Sequence, residues 1–295
     1  MGLFNGYLKE GPGVSKDAPQ KTRFFLFFEL FGRKFSKLIW LNLLYLICLV
    51  PLIFGICFSV TINPNILSNG VINGAALATE PLFQFSGDLI ALGVLIISLF
   101  IAGPATAGFT YVIRNFQREE HAWVFSDFKD TFKDNFKQAT LLAFIDLFIY
   151  FTLYIAFVFY RYSMPVIQPS MASVTPFFTA AIVVITVIYT WMHFYMHVMM
   201  ITFKLKLSQI FRNAILFAIG KLPVNLLVSV ICIATVLASL YYPLLGIICA
   251  ILITLSFIGY VVVFSTYPTI DSYMIEPQSV QDDEEERTFN DNREE

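Results

Sequence analysis

Six long apolar segments constrain the fold of this chain more than any other feature of its sequence. A bilayer core about 30 Å thick requires about 20 consecutive apolar residues from a spanning helix. The segments of this length are Leu38–Val60, Leu89–Ile113, Ala139–Tyr160, Phe177–Phe203, Leu222–Leu240 and Leu244–Phe264. Because lipid offers no partner to an exposed backbone group, each segment is expected to be an α-helix. The sequence therefore predicts an all-α fold, a polytopic membrane bundle of six transmembrane helices.

The composition agrees with a membrane protein and argues against several other classes. Hydrophobic residues make up 57% of the chain and charged residues 14%, whereas soluble domains carry about 25% charged residues. A net charge of −2 gives no basic excess for a nucleic-acid partner. The sequence has no Walker A motif, no Gly-x-Ser-x-Gly elbow and no glycine-rich dinucleotide loop. We therefore predict no enzyme activity, no cofactor and no resident metal.

The lysines and arginines predict which way the bundle faces. Of the 19 basic residues, all but Arg161 fall on the N-terminal segment, the segments 114–137 and 204–221, and the C-terminal segment. Cytoplasmic loops of membrane proteins carry an excess of Lys and Arg. The pattern predicts that both termini and these two loops are cytoplasmic, the N-in/C-in arrangement. It also favours six spans, because a missed span would place basic residues on both sides of the membrane.

This orientation divides the chain into three parts. We predict a cytoplasmic N-terminal segment at residues 1–37, a six-helix transmembrane domain at 38–264, and an acidic cytoplasmic tail at 265–295. The carboxylates near the end of the tail repel one another and have little apolar surface to bury. The tail is therefore expected to be disordered.

The end of the N-terminal segment, Thr22–Lys37, carries phenylalanines at helical spacing among basic residues. They are Phe24, Phe27, Phe28, Phe31 and Phe35. A helix of this kind lies in the plane of the membrane interface. We expect an interfacial helix that leads into the first span. The alternative is that these residues simply extend that span inward.

A second amphipathic helix is predicted in the cytoplasm at about residues 126–138. Its apolar stripe is formed by Phe128, Phe132 and Phe136, and its basic stripe by Lys129, Lys133 and Lys137. Such a helix can lie on anionic headgroups of the inner leaflet. It can equally dock on a protein partner, and the sequence leaves both interpretations open.

Asp146 is an acidic residue well inside a predicted span. A carboxylate at that depth is costly and normally faces the bundle interior or water. The functional hypothesis is a proton or substrate contact. The alternative is a structural carboxyl that is protonated or hydrogen-bonded to an amide, and Asn42 and Asn225 stand at a similar depth.

The second span contains the sequence GPATAGF, with Gly103, Pro104 and Thr106. Proline removes one helical hydrogen bond, and small residues four apart allow close helix approach. One interpretation is a packing kink. The other is a broken helix that lines a substrate path.

His193 and His197 stand four residues apart in the fourth span among several methionines. Two imidazoles on one helix face can bind a soft metal. Phe194 stands where the zincin pattern requires Glu, so interhelical hydrogen bonding is the favoured interpretation.

Two stretches resemble the YesL-like family of bacterial integral membrane proteins, a domain family of unknown function. In Gly32–Leu52 the resemblance lies in the basic residues that precede the first span, in Asn42 and in Pro51. In Gly103–Ala139 it lies in GPATAGFTYVIRNF followed by FSDFKDTFKDNFKQA. Together they make the resemblance specific to the first part of the chain.

The resemblance implies a function, because this family is generally found beside carbohydrate uptake systems of the ATP-binding-cassette type. It implies a bacterial cytoplasmic membrane protein, a non-enzymatic accessory or regulatory role, and partners from a sugar uptake or sensing system. The chain lacks the Glu-Ala-Ala loop of such a permease. The alternative is a stand-alone small-molecule transporter or channel that uses Asp146 and a broken second helix. Homo-oligomerisation stays open.

Overall fold

The computed structural model describes residues 22–62 and 87–275, and within those ranges all regular structure is helical. The helices are α1 Arg23–Ile62, α2 Gly87–Gln117, α3 Val124–Asp134, α4 Phe136–Ile167, α5 Thr175–Thr202, α6 Leu207–Gly220, α7 Leu222–Tyr241 and α8 Pro243–Ile275. In this described part, α1, α2, α4, α5, α7 and α8 are long and apolar enough to cross a membrane. The predicted all-α fold with six spanning helices is confirmed.

The buried core lies at one end of the bundle. α2 is the central helix and packs against α1, α3, α4, α5 and α8. Along α4, Leu142 is fully buried but Tyr154 is 52% exposed, and along α5, Met199 is fully buried but Val184 is 56% exposed. The buried ends are those that the basic loops flank. We call these the basic halves of the spans and the opposite halves the outer halves.

The predicted interfacial helix at Thr22–Lys37 is not a separate element. α1 runs without a break from Arg23 to Ile62, which is the alternative interpretation. Phe27 and Phe31 pack against the core, although Phe24, Phe28 and Phe35 are exposed. The ring centroid of Phe27 lies 4.9 Å from that of Tyr260 on α8, and the Tyr260 hydroxyl donates to the Phe27 carbonyl at 2.9 Å.

The predicted amphipathic helix ends earlier than expected. α3 stops at Asp134, Asn135 adopts a non-helical conformation, and Phe136 already begins α4. The Asn135 side chain donates to the Thr131 carbonyl at 3.1 Å. An asparagine that bonds to nearby backbone in this way competes with helix continuation.

The predicted start of the tail at residue 265 is wrong. α8 continues to Ile275, with Tyr267 and Ile270 buried in the core and the Thr266 hydroxyl bonded to the Phe194 carbonyl at 3.2 Å. These contacts explain why the helix outlasts the apolar run. The disorder expected of residues 276–295 falls on a segment outside the described residues. Residues 1–21 and 63–86 also lie outside them.

Candidate functional site

Asp146 lies on α4 and contacts two side chains of α5. Its Oδ1 accepts a hydrogen bond from the Tyr189 hydroxyl at 2.6 Å, and His193 Nε2 lies 3.1 Å from the same oxygen. The side chains of Asp146 and His193 are 19% and 18% exposed, so the helices shield most of the pair. One carboxyl therefore meets a hydroxyl donor and an imidazole at once.

Helical spacing brings these groups together. Asp146 and Tyr150 are four residues apart on α4, and Tyr189 and His193 are four apart on α5, so each helix presents its pair on one face. The Tyr150 ring lies 5.2 Å from that of Tyr189 and 6.0 Å from that of His193. Its hydroxyl also lies 3.2 Å from that of Thr190. We call Asp146, Tyr150, Tyr189 and His193 the Asp146 cluster.

The Asp146 cluster brings a carboxyl and an imidazole together inside the bundle. The His193 Nε2 lies 3.1 Å from the Asp146 Oδ1 without a hydrogen bond of acceptable geometry. A carboxyl and an imidazole at this distance can exchange a proton once the imidazole ring turns to align its nitrogen with the carboxyl oxygen. Asp146 is thus well placed for proton transfer, while Tyr189 fixes the position of its oxygen.

The two histidines of α5 lie side by side, and one of them contacts Asp146. The His193 and His197 rings lie 5.8 Å apart, and His193 turns towards Asp146. Among the described residues, no three His, Cys, Asp or Glu side chains come together in a possible metal site. From the sequence, Asp146 and the histidines were separate candidates, and Tyr150 and Tyr189 were not recognised. Matching four-residue spacings on neighbouring spans were the signal that could have joined them.

Asn42 is not a partner of Asp146. Its amide nitrogen donates to the carbonyls of Ala250 and Ile251 at 3.0 and 2.6 Å, and its oxygen accepts from the Ser256 backbone N–H at 2.9 Å. Residues 250–254 form a π-helical turn inside α8, and such a turn disturbs the regular backbone bonds. Asn42 completes those bonds and joins α1 to α8.

Asn225, like Asn42, has its hydrogen-bond partners elsewhere and is not the amide partner of Asp146. The Tyr195 hydroxyl donates to its Oδ1 at 2.7 Å, and its Nδ2 donates to the Ala218 carbonyl at 2.9 Å. Ala218 lies in the last turn of α6, where helical carbonyls lack partners. Asn225 therefore joins α5, α6 and α7.

The Gly-Pro stretch of the second span is a packing site. α2 is continuous through Pro104, so the interpretation as a broken helix is wrong. A Cβ at Gly103 would lie 2.5 Å from the Ala139 carbonyl oxygen, so glycine permits the close approach of α2 and α4. The Thr106 hydroxyl lies 2.9 Å from that of Tyr45 and connects α2 to α1.

The phenylalanines of the stripe that lie on α3 pack towards the bundle. Phe128 is buried, and a Cβ at Gly108 of α2 would lie 2.6 Å from the Phe128 carbonyl oxygen. Phe132 is half-buried, and Phe136 is exposed at the start of α4. The basic stripe is exposed; its members are Lys129, Lys133 and Lys137. These lysines remain candidates for docking or lipid contact.

Arg114 is a buried residue that the sequence analysis counted only as a cytoplasmic charge. Its guanidinium donates to the Ile201 carbonyl at 3.2 Å and to the Thr202 hydroxyl at 3.1 Å. It also lies 4.6 Å from the centre of the Tyr111 ring. Cations stabilise the C-terminal carbonyls of a helix, so Arg114 fixes the end of α5 to α2.

Comparison with known proteins gives one family match. Residues 38–157 match the family described as "Protein of unknown function, DUF624", and the YesL-like family is a DUF624 family. No curated protein and no solved structure matches the chain. The matched region contains Asn42, Gly103, α3 and Asp146, whereas the partners of Asp146 on α5 lie beyond it.

Proposed function

We propose that this chain is a non-enzymatic accessory protein of the bacterial cytoplasmic membrane that works with a carbohydrate uptake system of the ATP-binding-cassette type. The main support is the uneven packing of the spans. Only 6% of the most apolar stretch of α4 is buried, against 50% for α2. Helices this exposed are suited to contact other membrane proteins as well as lipid.

The outer halves of α4 and α5 provide the surface for such contacts. A groove of about 320 Å³ runs between them, with Tyr150 at one end. Its other lining residues are Leu153, Tyr154, Phe157, Ile182, Val183, Thr186 and Val187. A transporter that acts alone places its substrate site between packed repeats near the midplane. The open, apolar groove fits a partner helix better than a polar substrate.

The link to carbohydrate uptake rests on the family resemblance of the first part of the chain. The DUF624 match over residues 38–157 supports the resemblance itself. The partner class that follows is a permease or sensor subunit in the same membrane. Sugars would then be handled by that partner, and this chain would affect assembly or regulation.

A crosslinking experiment in native membranes tests the proposal. A photoreactive residue at Val183, which lines this groove and is exposed on the outer half of α5, should capture a subunit of a cassette-type sugar importer. Val198, a buried valine on the same helix, serves as the matched control and should capture none. A strain that lacks the chain should also take up the cognate sugar more slowly. Unchanged uptake of every carbohydrate tested would contradict the proposal.

The Asp146 cluster supports a second candidate function, proton-linked transport by this chain alone. Asp146 and His193 can exchange a proton within the membrane. Purified protein in liposomes should then drive solute uptake when a proton gradient is applied, and Asp146→Asn should abolish it. We expect no uptake by the protein alone. Flux that depends on Asp146 would replace the accessory role with transport.

A further inference from the structure

A groove of about 270 Å³ lies where α3 meets the side of α1. It is lined by Trp40, Leu43, Leu44, Ile47, Val124 and Phe125. Trp40, Ile47 and Phe125 are each more than half exposed. Their large apolar surfaces are therefore available to a ligand in the groove. From Trp40 to Ile47 the groove extends about 10 Å along α1, at 1.5 Å per residue. That is the depth range of an interfacial site reaching the acyl region.

One end of the groove is basic. Lys37 lies three residues before Trp40 and therefore on the same face of α1. Its Nζ donates to the Ala122 carbonyl at 3.3 Å, which holds the ammonium beside the start of α3. An ammonium has three N–H donors, so Lys37 can bind a second acceptor at the mouth of the groove.

α3 is charged asymmetrically around its axis. At about 100° per residue, Phe125 and Lys129 lie on one flank of the buried Phe128, and Lys133 lies further round on the same side. The acids lie on the opposite flank; they are Asp127, Asp130 and Asp134. Because Phe125 lines the groove, the lysine flank is the one next to it. The acidic flank faces away and does not oppose an anion there.

The groove and its lysines are arranged to match a phospholipid, with an apolar part for an acyl chain and a basic end for a phosphate. The apolar part of the groove extends towards the bilayer centre, and the ammonium groups stand at the end that the positive-inside pattern places in the cytoplasm. Tryptophan is favoured at the level of the headgroups, and Trp40 lies at that boundary between the basic and apolar parts.

We propose that this groove binds one acyl chain of an anionic phospholipid from the cytoplasmic leaflet, with its phosphate between Lys37 and Lys129. The site fixes α3 to the membrane surface through Phe125 and the lysines, while Phe128 fixes it to α2. It does not depend on the accessory function proposed above. An acidic protein partner is the competing occupant of the lysines, but it would leave the apolar groove unfilled.

Trp40 fluorescence provides the test, because the chain has three tryptophans, at positions 40, 123 and 191. The full chain carrying Trp123→Phe and Trp191→Phe is reconstituted into phosphatidylcholine vesicles. One of two lipids is then added in increasing mole fraction, either phosphatidylglycerol or phosphatidylcholine. Each carries bromine on its acyl chain, near the carboxyl end of that acyl chain. We expect half-maximal quenching of Trp40 at about a tenfold lower mole fraction for the anionic lipid, since each basic contact near a membrane surface contributes favourably.

Variants of three lysines make the result specific. Lys129→Gln should reduce the preference for the anionic lipid severalfold, and Lys37→Gln with Lys129→Gln should abolish it. Lys204→Gln, an exposed lysine after α5, should leave it unchanged. Equal quenching by the two lipids in the parent protein would overturn the proposal. A preference that survives in the Lys37→Gln, Lys129→Gln variant would also overturn it.

Discussion

The buried polar side chains of this bundle connect helices to one another. Asn42 bonds α1 to α8, Asn225 bonds α6 and α7 to α5, and Arg114 fixes the end of α5 to α2. Interhelical hydrogen bonds in membranes are worth about 0.6–2 kcal/mol each, so their number matters more than any single bond. Asp146 belongs to this set and also adds an ionisable group.

Asn42→Leu should destabilise the protein by about 1–3 kcal/mol, because the π-helical turn of α8 would lose its partners for two carbonyls and one N–H. The free energy of unfolding in mixed micelles is the measurement. Thr152→Val is the control, since Thr152 is exposed and bonds within its own helix. Equal unfolding free energies for the Asn42 variant and the parent would refute this role.

Replacing Asp146 should reveal whether Tyr189 depends on it. Asp146→Asn keeps an acceptor for the Tyr189 hydroxyl and should cost little, whereas Asp146→Leu leaves that hydroxyl unpaired, at about 1–3 kcal/mol. Tyr189→Phe added to Asp146→Leu should recover part of the loss, because both partners are then removed. Strictly additive effects in this double-mutant cycle would show that the bond is unimportant for stability.

At the scale of single elements, small residues determine how closely the helices pack. Gly103 lets α2 approach α4, and Gly108 lets α3 lie directly on α2. The sequence identified this stretch correctly as small and proline-containing. It could not distinguish a packing contact from a broken helix, because that depends on which backbone lies opposite.

Gly103→Ala should destabilise the bundle by about 1–3 kcal/mol, as expected when extra volume is forced into a packed interface. The added Cβ would meet the backbone of Ala139, which has little freedom to move. Gly93 lies on the same helix with nothing near its virtual Cβ. Gly93→Ala should therefore be neutral or slightly stabilising through helix propensity, by up to about 1 kcal/mol. A similar loss of unfolding free energy in both variants would contradict this account.

At the scale of the whole molecule, hydropathy and charge predicted the number of spans, since both depend on local composition. α6 was missed because its apolar stretch is too short to cross a bilayer. The partners of Asp146, Asn42 and Asn225 were missed for a different reason. Depth in the membrane restricts which groups can meet, but helix rotation and packing decide which of them do. Helix rotation and packing determine the contacts of Asp146 with Tyr189 and of Asn42 with Ser256.

The central claim is that the densely packed basic halves of the spans face the cytoplasm, and cysteine labelling tests it most directly. Single cysteines are introduced at Ser170, between α4 and α5, and at Lys133 on α3, both exposed, after the four native cysteines are replaced. With an impermeant thiol reagent on intact cells, Ser170→Cys should label, and Lys133→Cys should label only after permeabilisation. Labelling of Lys133→Cys in intact cells, with Ser170→Cys protected, would contradict the orientation and the lipid site that depends on it.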